Sequence, residues 1–208
     1  MIEEQNSLDL IKRIKSLSEI GLLYSQSEYD KERYAELLSI SLKLLSTASG
    51  ISLPFLNDFF IPAKDYPTPK VDIRGLVLNQ KKEILMVKEK SDGKWSLPGG
   101  WGDIGYSPSE VIVKEIKEET GLGSKILRLL AVYDKKCHPH PPQPFYVYKL
   151  IFLCEIFEGK IKTSFDIEDV QYFEIYNLPE LSKDRILKSQ IEKLYNKVMN
   201  GDESVYFD

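Results

Sequence analysis

Three carboxylates in one short stretch, Glu115, Glu118 and Glu119 of KEIKEETG, are the residues best placed to do chemistry. On a helix that stops at Gly121 they lie three and four positions apart and share a face. Each like-charged pair at that spacing costs about 0.2–0.5 kcal/mol on an isolated helix, and anions in a last turn oppose the helix dipole by about 0.3–1 kcal/mol. Local stability therefore does not account for the placement. The plain alternative is a solvated charged face, because Lys114 and Lys117 alternate with the acids and Glu110 stands one turn before Lys114. The flanking residues weigh against it. Pro98, Gly99 and Gly100 suit a tight turn and close backbone approach, Ser107 suits a helix cap, and Pro108 suits the first helical position. Val111, Ile112 and Ile116 supply a buried side, which leaves the glutamates beneath the glycine turn. Backbone amides beside clustered carboxylates fit a hard divalent cation such as Mg2+ bridged to a phosphate, and that cation would relieve the like-charge strain.

These residues need elements to hold them. Residues from about Leu8 to Ser49 read as two helices. Leu10, Ile14, Leu17 and Ile20, widened by Ile11, form the stripe of the first; Tyr34, Leu38, Leu42 and Leu45 form that of the second, which Gly50 ends. Leu37, Ile40 and Leu44 lie off the second stripe. Two helices cannot easily bury that much surface alone, so another domain or a second subunit is expected to cover it, and a homodimer through these helices is the favoured arrangement. The run IPAKDYPTPK reads as a linker. Beyond it VDIRGLVLN and EILMVKEK form a candidate hairpin around QKK, and the acidic helix runs from about Ser107 to Thr120. Two long strands, KILRLLAVYDKK and FYVYKLIFLCEIF, flank the loop CHPHPPQP; VQYFEIY is a shorter strand and DRILKSQIEKLYNKVM a closing helix. The class is α+β, with helices flanking a mixed sheet. The expected divisions are a helical domain over 1–62, a linker over 63–70 and a catalytic domain over 71–208.

Composition narrows the partners. The chain has 208 residues, 42% hydrophobic and 29% charged, ordinary for a globular protein. Its 28 basic and 32 acidic residues give a net charge of −4, so nucleic acid and anionic membrane are not expected partners. Two cysteines without CxxC spacing make a reducing cytoplasm the default. The acidic start MIEEQNSLDL does not read as a signal peptide, and the longest apolar runs are too short to span a bilayer.

The segment LPGGWGDIGYSPSEVIVKEIKEETGLG resembles the Nudix box, Gly-x5-Glu-x7-Arg-Glu-U-x-Glu-Glu-x-Gly-U with U a bulky aliphatic. Gly100, Glu115, Ile116, Glu118, Glu119, Gly121 and Leu122 fall in register; Tyr106 stands at the first glutamate and Lys114 at the arginine. The resemblance covers roughly Val71 to Leu181. It implies a Nudix α/β/α sandwich and metal-dependent hydrolysis of a nucleoside diphosphate linked to another moiety. With the helical N-terminal extension, the whole chain resembles bacterial Nudix proteins described as ADP-ribose or CDP-choline pyrophosphatases. Two other readings stay open: a non-catalytic nucleotide sensor, suggested by Tyr106 and Lys114, and an RNA-end pyrophosphohydrolase.

The resemblance implies Glu115 and Glu119 as the main ligands of Mg2+ or Mn2+, Glu118 as third ligand or base, and a carbonyl from Gly99 or Gly100. Some Nudix branches take the base from a loop acid, here Asp169, with Asp166 and Glu168 as neighbours. Arg74 would reach a substrate phosphate or salt-bridge within the fold. Trp95 would stack on substrate or cover the core. Tyr146, with Phe145 and Tyr148, would form a stacking wall or a buried strand face. His138 and His140 would touch substrate or solvent near the site entrance, since zinc there would need a spacing unlike known sites.

Overall fold

The N-terminal periodicity does fold as helices: α1 over Ser7–Tyr24 and α2 over Glu28–Ser49. In this computed structural model residues 7–60 and 66–208 are described, so Pro62 and residues 63–65 of the expected linker lie outside the described residues. Backbone proximity divides the chain into a helical unit up to Pro69 that also takes in Pro142–Tyr146, and a sheet unit of Lys70–Pro141 and Val147–Asp208.

In the helical unit, Ser27 caps α2 by accepting from the Asp30 amide at 3.4 Å, and Gly50 ends it in the left-handed conformation. A third helix, α3 over Leu53–Phe59, was not foreseen, because seven residues are too few to show a period. The core is Leu8, Ile11, Leu38, Leu42, Leu45 and Leu56. The reading of α2 holds, but that of α1 is corrected. Its buried face carries Leu8, Ile11, Lys12, Lys15 and Ser18, while Leu10, Ile14 and Leu17 are 40–47% exposed. Lysines are buried where the apolar pattern did not place them: the Lys15 ammonium lies 3.8 Å from the centre of the Phe60 ring and 2.5 Å from Glu19.

In the sheet unit, strands β1 (Lys70–Val77), β4 (Gly99–Trp101), β5 (Leu122–Asp134), β6 (Val147–Gly159) and β8 (Tyr206–Phe207) make one sheet in the order β4-β1-β6-β5-β8. Strands β2 (Ile84–Glu89), β3 (Trp95–Ser96) and β7 (Ile167–Phe173) make a second in the order β3-β2-β7. The larger sheet is mixed, with β1 parallel to β6 and antiparallel to β4. Helices α4 (Pro108–Thr120) and α5 (Lys188–Met199) each contribute to a different core. Leu76, Ile84 and Met86 join the core holding Ile191 and Leu194 of α5; Ile73, Val77, Leu85 and Val87 join that holding Ile112 and Ile116 of α4. This is the expected α+β sandwich with a mixed sheet.

The hairpin expected from β1 and β2 is corrected. A turn does form, with the Asn79 amide bonded to Glu83 O at 3.0 Å, but beyond the bridge between Leu78 and Ile84 the strands enter different sheets. Both are buried on both faces, so each is inserted between two cores and cannot share one half-solvated ribbon.

One glycine ties this architecture to the acidic helix. Gly99 has φ 138°, and a Cβ there would lie 2.1 Å from the Ile73 carbonyl oxygen of the paired strand. Gly105, at φ 91°, has nothing within 4 Å. Gly99→Ala should therefore destabilise by about 3 kcal/mol or more, combining an unfavourable dihedral with backbone collision, and Gly105→Ala by about 1–2 kcal/mol from the dihedral alone. Urea denaturation of the two variants measures the difference; equal midpoints would show that β4 is not packed this closely.

Candidate active site

Local sequence explains where α4 starts and stops. Ser107 Oγ accepts from the Glu110 amide at 3.3 Å, and Glu110 Oε2 accepts from the Ser107 amide at 2.8 Å, a complete capping box with Pro108 in the first turn. Glu110 is thereby committed to the cap and does not pair with Lys114. At the other end Gly121 caps in the left-handed conformation and Lys117 donates to its carbonyl at 3.1 Å.

Between these limits the three glutamates take different environments. Glu119 is 6% exposed and its Oε2 accepts the Gly99 amide at 2.8 Å. Glu115 lies against Gly100, where a Cβ would come within 2.8 Å of its Oε1. The glycine pair thus lets β4 sit directly on two carboxylates one turn apart. Glu118 is exposed, with Lys114 Nζ 3.9 Å from its Oε2. Burial pushes the Glu119 carboxyl up to about 8, against the pull of Arg74 and the Gly99 amide, with Glu89 and Glu115 pushing further. Burial, then Glu118, also raises Glu115.

Behind the glutamates lies a buried charge network that the sequence reading did not assemble. Arg74 is 6% exposed. Its Nε donates to Asp72 at 2.9 Å, and its NH1 donates to Ser96 Oγ at 3.2 Å and the Leu97 carbonyl at 3.1 Å. Glu89 lies 3.8 Å from that same nitrogen and receives Arg185 Nε at 2.9 Å. Lys149 also pairs with Asp72. Burial alone would raise the Asp72 carboxyl; Arg74 and Lys149 outweigh it and hold it below the usual range. The signal available in the sequence was VDIRG, opposite charges two apart in an apolar strand. Glu89 and Arg185 carried none.

Of the remaining expected site residues, Arg74 lies close enough to Glu119 and Glu115 to act on their charge, while its Nε and NH1 are bonded within the fold. Trp95 packs edge-on against Phe173 with centroids 4.7 Å apart, at the margin of the α5 core. Asp169 is a strand residue in β7, not a loop acid; its carboxylate accepts from the Val170 amide at 2.8 Å and from Gln171 at 2.5 Å. Tyr146 belongs to the helical unit, where its hydroxyl donates to the Asp9 carbonyl at 2.9 Å. His138 pairs with Asp208 at 2.9 Å. His140 donates from Nδ1 to the Lys183 carbonyl at 2.6 Å, and burial lowers it to about 4, so it stays neutral and is not a proton carrier at neutral pH.

The donors suit a hard cation: one buried and one half-buried carboxyl group, one turn apart beneath a glycine backbone. Among the described residues no three His, Cys, Asp or Glu side chains converge as a cage. Mg2+ does not require one, since it keeps waters and takes one or two carboxylates together with substrate phosphates.

Burial of Glu119 has a measurable consequence. Its carboxyl rises from an ordinary 4.5 to about 8, so the folded state holds a proton that the unfolded state has released across that interval. Stability of the cation-free protein therefore falls as pH rises from about 4.5 to 8. Glu119→Gln removes this loss. At pH 8.5, without divalent cations, the variant should be more stable than the parent by on the order of a few kcal/mol, each pKa unit being worth about 1.4, and the two should converge near pH 5. Thermal melts at both pH values test this, and a variant less stable at pH 8.5 contradicts it.

Comparison with known proteins accords with this geometry. Residues 68–196 match the NUDIX domain model, and residues 5–60 match a model described as a UDP-X-like, N-terminal oligomerisation domain. The chain is 40% identical, over an alignment of 209 positions that covers all of both chains, to a Bacillus subtilis (strain 168) protein named "Putative ADP-ribose pyrophosphatase". It is 34% identical over 139 residues to the ADP-ribose pyrophosphatase of Methanocaldococcus jannaschii, covering 65% of this chain and 78% of that one. The crystal structure of a UDP-X diphosphatase, 35% identical, superposes with a TM-score of 0.64 over 97% of each chain. With a domain match across more than half its length and a full-length relative, the chain belongs to the NUDIX hydrolase family.

Proposed function

We propose that the protein hydrolyses the diphosphate of a nucleoside diphosphate linked to a second moiety, with ADP-ribose the first candidate, yielding AMP and ribose 5-phosphate. The observation that carries the reaction class is the seating of Gly99 and Gly100 on Glu119 and Glu115. ADP-ribose is favoured by the full-length likeness to the Bacillus subtilis protein. CDP-choline and UDP-linked substrates are the next candidates, the latter suggested by the names of the N-terminal domain model and of the diphosphatase.

In this reading Glu115 and Glu119, with the Gly99 carbonyl, hold Mg2+ or Mn2+, and Glu118 on the open side is a third ligand or accepts the proton of the attacking water. The cation, when bound, neutralises phosphate charge and acidifies water. Water oxygen bonds to one phosphorus, the bridging P–O bond breaks, and the departing phosphate ester takes the bridging oxygen. Arg74 acts from within the fold: by bonding Ser96 and the Leu97 carbonyl it fixes the backbone leading into Gly99. The retained glutamates favour hydrolysis over a nucleotide sensor, and the acidic net charge disfavours an RNA-end substrate. A cytoplasmic setting is proposed from the low cysteine count. The helical unit is proposed to pair with a second copy through Leu10, Ile14 and Leu17 of α1 and Leu37, Ile40 and Leu44 of α2, all 40–47% exposed in the single chain.

A substrate panel with Mg2+ and Mn2+, scored by identifying both products, tests the reaction. AMP with ribose 5-phosphate is expected from ADP-ribose, and no cleavage of any nucleoside diphosphate conjugate would end the proposal. Glu119→Gln should lower kcat at least about a hundredfold while remaining folded by circular dichroism. Light scattering should give the mass of two chains for the parent and of one for a Leu37→Glu/Leu44→Glu variant; a monomeric parent rejects the pairing.

A further inference from the structure

The chain has two tryptophans, and their settings differ. Trp95 packs edge-on against Phe173 at the margin of the α5 core. Trp101 joins neither core of the sheet unit among the described residues and is 48% exposed. A half-exposed indole forgoes much of the burial that usually draws tryptophan inside. Its backbone is nevertheless fixed. Trp101 pairs with Asp72 in the ladder between β4 and β1, and the next amide, that of Gly102, donates to the Val71 carbonyl at 2.8 Å. The Lys70 ammonium lies 5.5 Å from the ring centre, a cation–π distance that helps orient the ring.

The strand register places this ring beside the glutamates. Directly opposed residues of an antiparallel pair share a face, so Trp101 lies on the face that carries Asp72 and Arg74. Gly99, opposite Arg74, is two residues back along β4, and its amide bonds Glu119. Two residues of strand span about 7 Å. A ribose sets a phosphate apart from its base by a comparable length. We propose that Trp101 is the platform on which the nucleobase of the substrate stacks while the diphosphate lies at Glu115 and Glu119. This deepens the hydrolase reading above and rests on it. The platform also bears on specificity. Every base has a π-face, so an indole admits adenine, cytosine and uracil, and discrimination falls to contacts with the second moiety.

Tryptophan fluorescence reads the contact directly. With Mn2+ present, AMP, CMP and UMP should each quench the emission of the parent, and ribose 5-phosphate should not. Trp101→Phe keeps a stacking ring and the Trp95 fluorophore. It should lose the quenching while the KM for ADP-ribose, or for whichever conjugate of the panel the parent cleaves, stays within about threefold. Trp101→Ala should raise that KM about five- to thirtyfold and leave kcat within about threefold, the loss of one base–aromatic stack. The phenylalanine variant carries the test should the alanine variant not fold. No quenching in the parent, quenching that survives in Trp101→Phe, equal quenching by ribose 5-phosphate, or a loss in Trp101→Ala confined to kcat each overturns the platform. A parent that cleaves no conjugate ends the hydrolase reading separately; the nucleotide quenching and its loss in Trp101→Phe then still decide whether a base stacks on Trp101.

Discussion

Everything at the site depends on one short contact, the Gly99 amide donating to a carboxylate that the fold has taken out of water. Burying a carboxyl is unfavourable unless its lone pairs are met, and a single backbone N–H meets only part of that demand. Burial accordingly raises the Glu119 carboxyl to about 8. A group held in that state is poised to exchange a proton for a cation, because binding replaces an unfavourable desolvated charge with a compensated one. The same contact explains the glycines. Any side chain at Gly99 would meet the neighbouring strand, and any at Gly100 would meet Glu115, so only bare backbone brings an amide this close.

The charge network behind Glu119 follows from that constraint. A loop that must place one amide within hydrogen-bonding distance of a buried carboxylate needs its own backbone fixed. Arg74 supplies this by donating to Ser96 and Leu97 immediately upstream of Pro98 and Gly99. A buried guanidinium must in turn be neutralised, which Asp72 and Glu89 do, and Arg185 and Lys149 then balance those acids. Each partner answers a charge that the previous one introduced, as the cost of leaving a buried ion unpaired requires. Arg74 thus commits its Nε and NH1 to the fold.

What the sequence disclosed divides along the range of the interactions. Features fixed by neighbours along the chain were legible: the Ser107 cap, the Gly121 stop, the face shared by Glu115 and Glu119, the long strands β5 and β6. The register of the motif disclosed the chemistry for the same reason, since a helix converts spacing into position. Features fixed across the chain were not legible. That Lys114 bonds Asp103 and not Glu110, that β1 and β2 separate into two sheets, and that Asp169 is a ladder residue in β7 all depend on which strands become neighbours. Arg74 shows the boundary case. Its residue type admitted a phosphate or an acid as partner, and only the placement of Asp72, Ser96 and Leu97 shows which groups its Nε and NH1 meet.

The helical unit reverses the usual use of an amphipathic helix, and the reversal has a physical rationale. Its α1 buries Lys12 and Lys15, whose ammonium groups lie over aromatic rings and are paired with Asp9 and Glu19, while Leu10, Ile14 and Leu17 face out. A helix in a lone three-helix unit would gain by turning those leucines inward, since each fully buried aliphatic side chain is worth about 1.5–3 kcal/mol. The observed rotation gives that gain up within the chain and keeps it available at the surface. An outward apolar stripe of this size is the kind of surface that marks an interaction site, and residues 5–60 match a model described as an oligomerisation domain.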